Sequence, residues 1–292
     1  MADFSGFEHC VRENEPLAPF TWFRLGGAAE HFAEPTSVDE LAGLVKRCRD
    51  QETPVRMLGG GSNLLVRDRG VAGLVIHLSG APFAAVTTDG DKVTAGGGAK
   101  LSQAISVAVR DGLAGLEPLV GIPGSVGGAL RGNAGAHGAD VGQWVDSATV
   151  MTNTGETITR GRDELRFTHR ASNLDELVIL DATFKLEPGD PVALTQRMQK
   201  LWIVRRSQQP TGDQGAGRAF KDPSGATASS LIEQAGIKGI RVGGAEIFDR
   251  DPNFIIAGPK ATADDVTQLL ELIQSQVHER VGVELERELE IW

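Results

Sequence analysis

The sequence predicts an α+β chain of about two domains, and three observations carry that expectation. The chain has 292 residues, room for roughly two domains of ~150 residues each or for one large α/β unit. Strand and helix patterns alternate along its length. Its composition shifts near 188–192, after an apolar run that stops at Pro188-Gly189. Hydrophobic residues make up 40% and charged residues 23% of the chain, ordinary globular usage that excludes general disorder.

The elements follow in order. Residues 37–50 read as a helix: Ser37 and Glu40 fit a capping box, and Leu41, Leu44, Val45 and Cys48 form one apolar face. VRML (55–58) reads as a strand running into three glycines, and LVIHL (74–78) as a second strand. A helix over 100–112 stops at Gly112, and the glycine-rich passage 121–138 shows little regular pattern. SATVMTNTGE (147–156) reads as a strand entering a turn, and LVILDATFKLEPGD (177–190) as a strand that stops at Pro188-Gly189. Residues 191–208 are helical in pattern and basic at Arg197, Lys200, Arg205 and Arg206, and 208–217 reads as a loop. A helix starts near Thr227–Ser230, and the clearest one runs from Thr262 to Arg280, with Gly282 as its stop. VELERELEI (283–291) alternates as a strand.

Composition narrows the function classes. Lys and Arg number 29 against 39 Asp and Glu, a net charge of −10. An acidic surface repels phosphate backbones, so neither nucleic acid nor an anionic membrane is an expected partner. Cys10 and Cys48 form neither CxxC nor a metal-ligand spacing, so no metal is expected and a reducing cytoplasm suits them. The start MADFSGFEHCVRENEP lacks the apolar stretch of an export signal, and no 18-residue apolar run occurs.

Glycine is the outlier, 37 residues in all, about 13% against a typical ~7%. LGGGSNLLV (58–66) is a strand leading into a loop stripped of side chains, which either turns tightly or lets successive N–H groups face an anion. GIPGSVGGALRGNAGAHG (121–138) carries Ile122, Val126 and Leu130, too apolar for a flexible linker. Two such segments favour one large phosphate ligand. Neither is a GxGxxG fingerprint, and no Walker A motif is present. Gly59, Gly60, Gly61, Ser62, Asn63, Gly121, Pro123, Gly124, Ser125, Gly127, Gly128, Asn133 and Gly135 are the candidate cofactor-binding residues.

With these two motifs the chain resembles the UDP-N-acetylenolpyruvoylglucosamine reductases of peptidoglycan precursor synthesis. The resemblance continues, in order, through FTWFRLGG (20–27), GLAGLEPLVGIPG (112–124), RFTHRAS (166–172), RRSQQP (205–210), GRAFKDP (217–223), LIEQAGIKG (231–239), GGAEIFDRDPNF (243–254) and VELEREL (283–289). It implies a two-subdomain FAD-binding unit of the vanillyl-alcohol-oxidase (PCMH) type over 1–190, divided at about 80, and a C-terminal α+β substrate-binding domain over 191–292. It also implies FAD as cofactor, NADPH as co-substrate, and a UDP-sugar enolpyruvyl ether as substrate. The enolpyruvyl group would gain a hydride at its terminal carbon and a proton at its neighbour. A cytoplasmic monomer is the expected form.

Residue by residue, Arg170 matches the family arginine that grips the substrate carboxylate, and Glu288 the family's C-terminal glutamate. Those two are the catalytic candidates. By alternation alone Glu284, Glu286, Glu288 and Glu290 share one solvated strand face, so only the motif singles out Glu288. Arg218, Lys221 and Asn253 are the substrate-binding candidates. Arg218 replaces the family's proton-donating Ser, and a guanidinium is a poor proton donor. Other departures are His169 and His137 for Tyr, Phe248 and Asp251 for Ser and His, and Ala257 for Asn. Flavin-facing positions thus match better than substrate-facing ones. Two alternatives stay open: a paralogous FAD oxidoreductase on another anionic substrate, and a flavin-binding protein without catalysis.

Overall fold

The computed structural model describes residues 2–210 and 215–292; part of the loop expected over 208–217, namely 211–214, lies outside the described residues. Two compact units emerge. One comprises residues up to Asn14, Glu30–Gly60 and Ala72–Val204; the other comprises Glu15–Ala29, Gly61–Val71 and Arg205–Trp292.

The first unit holds two apolar cores. In one, the helix Val38–Asp50 lays Leu41, Leu44, Val45 and Cys48 on Leu74, Ile76 and Phe83. Ser37 caps that helix by accepting the Glu40 N–H. The other arm of the expected capping box is displaced by one residue, because the Glu40 carboxylate accepts from the N–H of Thr36 rather than of Ser37. The associated sheet has the strand order Val11–Pro16, Ala28–Ala33, Val71–His77, Val55–Leu58, and its last pair is parallel.

The second core lies under a five-stranded antiparallel sheet ordered Thr157–Gly161, Val145–Met151, Val178–Lys185, Lys92–Gly96, Val86–Asp89. The helix Leu101–Arg110 packs Leu101, Ala104, Ile105 and Ala108 into it. The strand expected to enter a turn over 147–156 does so: Val145–Met151 runs into a turn, across which Met151 pairs with Thr157. The passage 121–138, expected to be irregular, contains the helix Val126–Arg131 and the hairpin Gly135–Ala136/Ala139–Asp140. Gly127 and Gly128 disguise that helix, since glycine weakens any helix interior. Ser125 caps it, its Oγ accepting the Gly128 N–H at 3.3 Å.

The second unit is a four-stranded antiparallel sheet ordered Gly215–Arg218, Phe254–Ala257, Ala245–Ile247, Arg241–Val242, with helices Ala228–Gln234 and Ala263–Val281 buried against it. The long helix carries a full capping box between Thr262 and Asp265 and ends at Gly282 in the left-handed region, φ +77°. The strand expected over 283–291 is reduced to Glu290–Ile291, which runs parallel to Leu64–Leu65. Residues 283–289 keep the alternating burial of a strand but gain only single contacts, such as the bridge Phe220↔Arg287.

Candidate functional site

In the first unit the strand Val55–Leu58 delivers Gly59 and Gly60 to the second glycine-rich segment. A Cβ on Gly59 would stand 2.7 Å from Ser125 Oγ, and one on Gly60 2.6 Å from Gly124 Cα. The two segments therefore meet main chain to main chain, an approach that excludes side chains. Gly121 and Gly124, flanking Pro123, adopt φ +77° and +110°, which L-residues with a Cβ avoid. This bare stretch fits the close approach of a diphosphate.

Not every candidate cofactor residue belongs to that stretch. The Gly127 N–H donates to Gly97 O at 2.8 Å and the Gly128 N–H to Ser125 Oγ, so both amides expected at a phosphate are taken inside the fold. Gly127 is glycine because its Cβ would lie 3.0 Å from Gly97 O. Gly135 pairs with Asp140 across the turn His137-Gly138, whose φ values of +53° and +79° are those of a tight two-residue hairpin turn. Its missing Cβ would lie 2.9 Å from Ala139 O. In the second unit Gly61 (φ +61°) packs on Phe20 O, 1.9 Å from where a Cβ would sit. Ser62 beside it is half-buried.

Arg170 occupies a two-residue turn, His169-Arg170, between the strands Phe167–Thr168 and Ala171–Ser172. It is half-buried at φ +56°, while His169 is exposed. Asn133 lies beneath this hairpin, 5% exposed. Its Nδ2 donates to Thr168 O at 2.8 Å and its Oδ1 accepts the Gly142 N–H at 3.0 Å. The side chain expected on the cofactor is thus engaged by main chain.

The second unit gathers the charged candidates. Arg218 ends the strand Gly215–Arg218. Its Nη2 donates to Asp222 Oδ2 at 2.8 Å, and its Nε lies 3.3 Å from Glu288 Oε2. Glu288 is set apart from the glutamates it alternates with: its side chain is 15% exposed, whereas that of Glu286 is 72% exposed and Glu284 and Glu290 also face solvent. The solvated strand face expected from alternation therefore holds for three of the four. Lys221 pairs with Glu286. Main-chain bonds from Glu288 N to Ala219 O and from Lys221 N to Glu286 O, both 2.9 Å, hold the two segments side by side.

Two more asparagines play a supporting part where ligand contact was expected. Asn63 Nδ2 donates to Glu288 O at 2.8 Å, and Asn63 O accepts the Glu290 N–H at 3.0 Å. Asn253 is fully buried; its Oδ1 accepts the Phe220 N–H at 2.9 Å and its Nδ2 donates to Phe220 O at 2.8 Å. Facing the Phe220 main chain on both sides, it fixes the chain between Arg218 and Lys221, and its side chain is turned away from solvent. Asp222 was missed in the sequence. It joins Arg218 to the first turn of the helix Ala228–Gln234 by accepting the Ala228 N–H at 2.8 Å; its only signal was its place four residues after Arg218.

The glycine-built cradle in one unit and the Arg–Glu cluster in the other sit in an α+β chain whose class is that of the FAD-binding oxidoreductases with an added C-terminal family domain. The FAD binding domain family matches residues 29–161, and the C-terminal domain family of UDP-N-acetylenolpyruvoylglucosamine reductase matches 209–292. The chain is 42% identical to the UDP-N-acetylenolpyruvoylglucosamine reductase of Rhodopirellula baltica, over 97% of this chain and 93% of the relative. It is 36% identical to that of Listeria monocytogenes, over 98% and 96%. The crystal structure of the enzyme from Thermus caldophilus superimposes with a TM-score of 0.83 at 34% identity, covering 97% of this chain and 99% of that one. Phl p 4, a grass pollen allergen with glucose dehydrogenase activity, shares only the fold: TM-score 0.50, 15% identity, 65% of this chain and 45% of its own. The chain belongs to the UDP-N-acetylenolpyruvoylglucosamine reductase family and is an FAD-dependent oxidoreductase of that family.

Proposed function

We propose that the protein reduces UDP-N-acetylglucosamine enolpyruvate to UDP-N-acetylmuramate with electrons from NADPH, supplying the precursor for cell-wall synthesis and hence for cell shape and division. The observation that carries this reading is Glu288, drawn out of solvent beside Arg218 in a chain alike throughout its length to these reductases. Residues 1–190 serve FAD and 191–292 the substrate. The protein works as a cytoplasmic monomer. Its free cysteines, Cys10 and Cys48, suit that compartment, and no helix among the described residues is long and apolar enough to cross a membrane.

Bound FAD supplies the hydride chemistry. The chain's own residues supply place and field. Gly59, Gly60, Gly121, Pro123, Gly124 and Ser125 of the first unit hold the dinucleotide. Arg170 grips the substrate carboxylate through a planar fork that keeps its charge at any working pH, and so stabilises negative charge as it spreads into that group. Lys221 and Arg218, each already held by a carboxylate, are the hydrogen-bond donors this unit offers the substrate. Arg218 cannot hand over a proton, so the carbon is protonated by a group other than residue 218.

The test is steady-state NADPH oxidation by FAD-loaded protein. Consumption that depends on the enolpyruvyl substrate, with UDP-N-acetylmuramate as product, is the expected result; flavin reduction without substrate-dependent turnover rejects the reading. Arg170→Lys keeps the charge and loses the fork. It should lower kcat/KM by roughly 10- to 100-fold, the worth of one charge-assisted hydrogen bond.

A further inference from the structure

Asn133 sits in the second glycine-rich segment with φ +40° and 5% exposure. Asparagine tolerates the left-handed region better than other residues with a Cβ. One arm of its carboxamide donates to Thr168 O at 2.8 Å, and the other accepts the Gly142 N–H at 3.0 Å. Thr168 is the last residue before the turn that carries Arg170. Across the hairpin, Thr168 pairs with Ala171 and Phe167 with Ser172. Ser172 is tied in turn by its Oγ, which donates to Arg131 O at 3.1 Å. Both strands of the hairpin are therefore fastened to the chain leaving the helix Val126–Arg131.

That fastening has a physical purpose. A hairpin of two paired residues per strand is not stable by itself in water, and Arg170 stands on its tip in a left-handed conformation that L-residues disfavour. Without tethers the turn would sample many orientations, and a two-pronged guanidinium needs a fixed one. We infer that Asn133 is a positioning residue for Arg170: it ties the turn to the glycine-rich segment by holding Thr168 O, and the Gly142 N–H fixes the orientation of the carboxamide that does so. The inference rests on the proposed role of Arg170 as the carboxylate clamp, and it replaces a cofactor contact by Asn133 with a tether.

The experiment uses FAD-loaded protein and the variants Asn133→Ala, Asn133→Asp and Arg170→Lys, with the double variant of Asn133→Ala and Arg170→Lys. Asn133→Asp keeps the shape and the acceptor for Gly142 but loses the donor to Thr168, so it isolates the tether even where Asn133→Ala folds poorly. Expected results are flavin Kd within about threefold of the parent for Asn133→Asp, kcat/KM for the enolpyruvyl substrate at least about tenfold lower, and little further loss when Asn133→Ala is added to Arg170→Lys, as coupled residues behave. Amides of 167–172 should also exchange faster in Asn133→Asp than in Arg170→Lys. A large loss of flavin affinity in Asn133→Asp, or losses that multiply in the double variant, overturns the inference. If Arg170→Lys alone leaves kcat/KM unchanged, the clamp reading fails instead, and the exchange data still decide whether Asn133 holds the hairpin.

Discussion

Gly60 shows how far a single hydrogen atom governs this site. Its missing Cβ would stand 2.6 Å from Gly124 Cα and 3.2 Å from Ser125 N, and main chain on both sides has no rotamer with which to give way. Gly60→Ala must push the two glycine-rich segments apart, an overpacking that costs about 1–3 kcal/mol. The expected outcome is flavin bound at least about tenfold more weakly, ~1.4 kcal/mol, read by fluorescence titration. Gly132→Ala is the control: φ is −91° and the nearest atom to its new Cβ is Gly128 O at 3.6 Å, so flavin affinity should not move. At this scale the sequence told where bare main chain was needed but not what each polar neighbour did. Asn63, Asn133 and Asn253 lie in or beside motifs that announce ligands, yet all three engage main chain next to a charged candidate. A carboxamide can serve a ligand or a carbonyl equally well, and only the tertiary path decides.

Among the elements, the helix Ala263–Val281 was legible to its ends because its start and stop signals are local. Thr262 Oγ1 accepts the Asp265 N–H at 3.1 Å, and Asp265 Oδ2 accepts from Thr262 N at 3.0 Å and Gly244 N at 3.1 Å. Thr262→Ala should cost about 1 kcal/mol, the usual worth of a cap, seen as a lower urea midpoint at unchanged slope. Asp265→Ala removes partners from two main-chain N–H groups and should cost more. Those bonds hold the Asp265 carboxyl below the usual carboxylate range; its share of stability is present above that range and is lost as pH falls through the lowered value. The gap between Thr262→Ala and Asp265→Ala should therefore narrow in acid. The segment 283–291 failed as a strand for the opposite reason. Alternation reports which side chains are buried, and Leu285 and Leu289 are indeed buried at 4%. A ladder, however, needs a partner running alongside, and that partner, 219–221, is far away in sequence.

Over the whole molecule, the shift in composition near 190 precedes the passage from the first unit to the second, which comes after Val204, and nothing in composition marks the two early segments, 15–29 and 61–71, that belong with the C-terminal residues. Such excursions are set by long-range pairing, as between Leu64–Leu65 and Glu290–Ile291. The cysteines make this division measurable, since both lie in one core of the first unit. Burial pushes each thiol up to about 11, with Glu40 adding to the effect at Cys10 and Arg47 opposing it at Cys48. A thiol whose folded pKa exceeds its unfolded value of ~9 contributes stability that is intact below pH 9 and is lost as pH rises through 11. Because the reactive species is the thiolate, the native protein at pH 8 should label with an aromatic disulfide only through opening of the first unit. Bound flavin favours the closed form by mass action, RT ln(1 + [L]/Kd), so saturating FAD at 100 times its Kd should slow labelling of Cys10 and Cys48 by about a hundredfold. The same FAD should leave unchanged the exchange of amides in the helix Ala263–Val281 of the second unit. Equal protection of both would mean that the flavin is not held by the first unit alone, and unprotected thiols would mean that it is not held there.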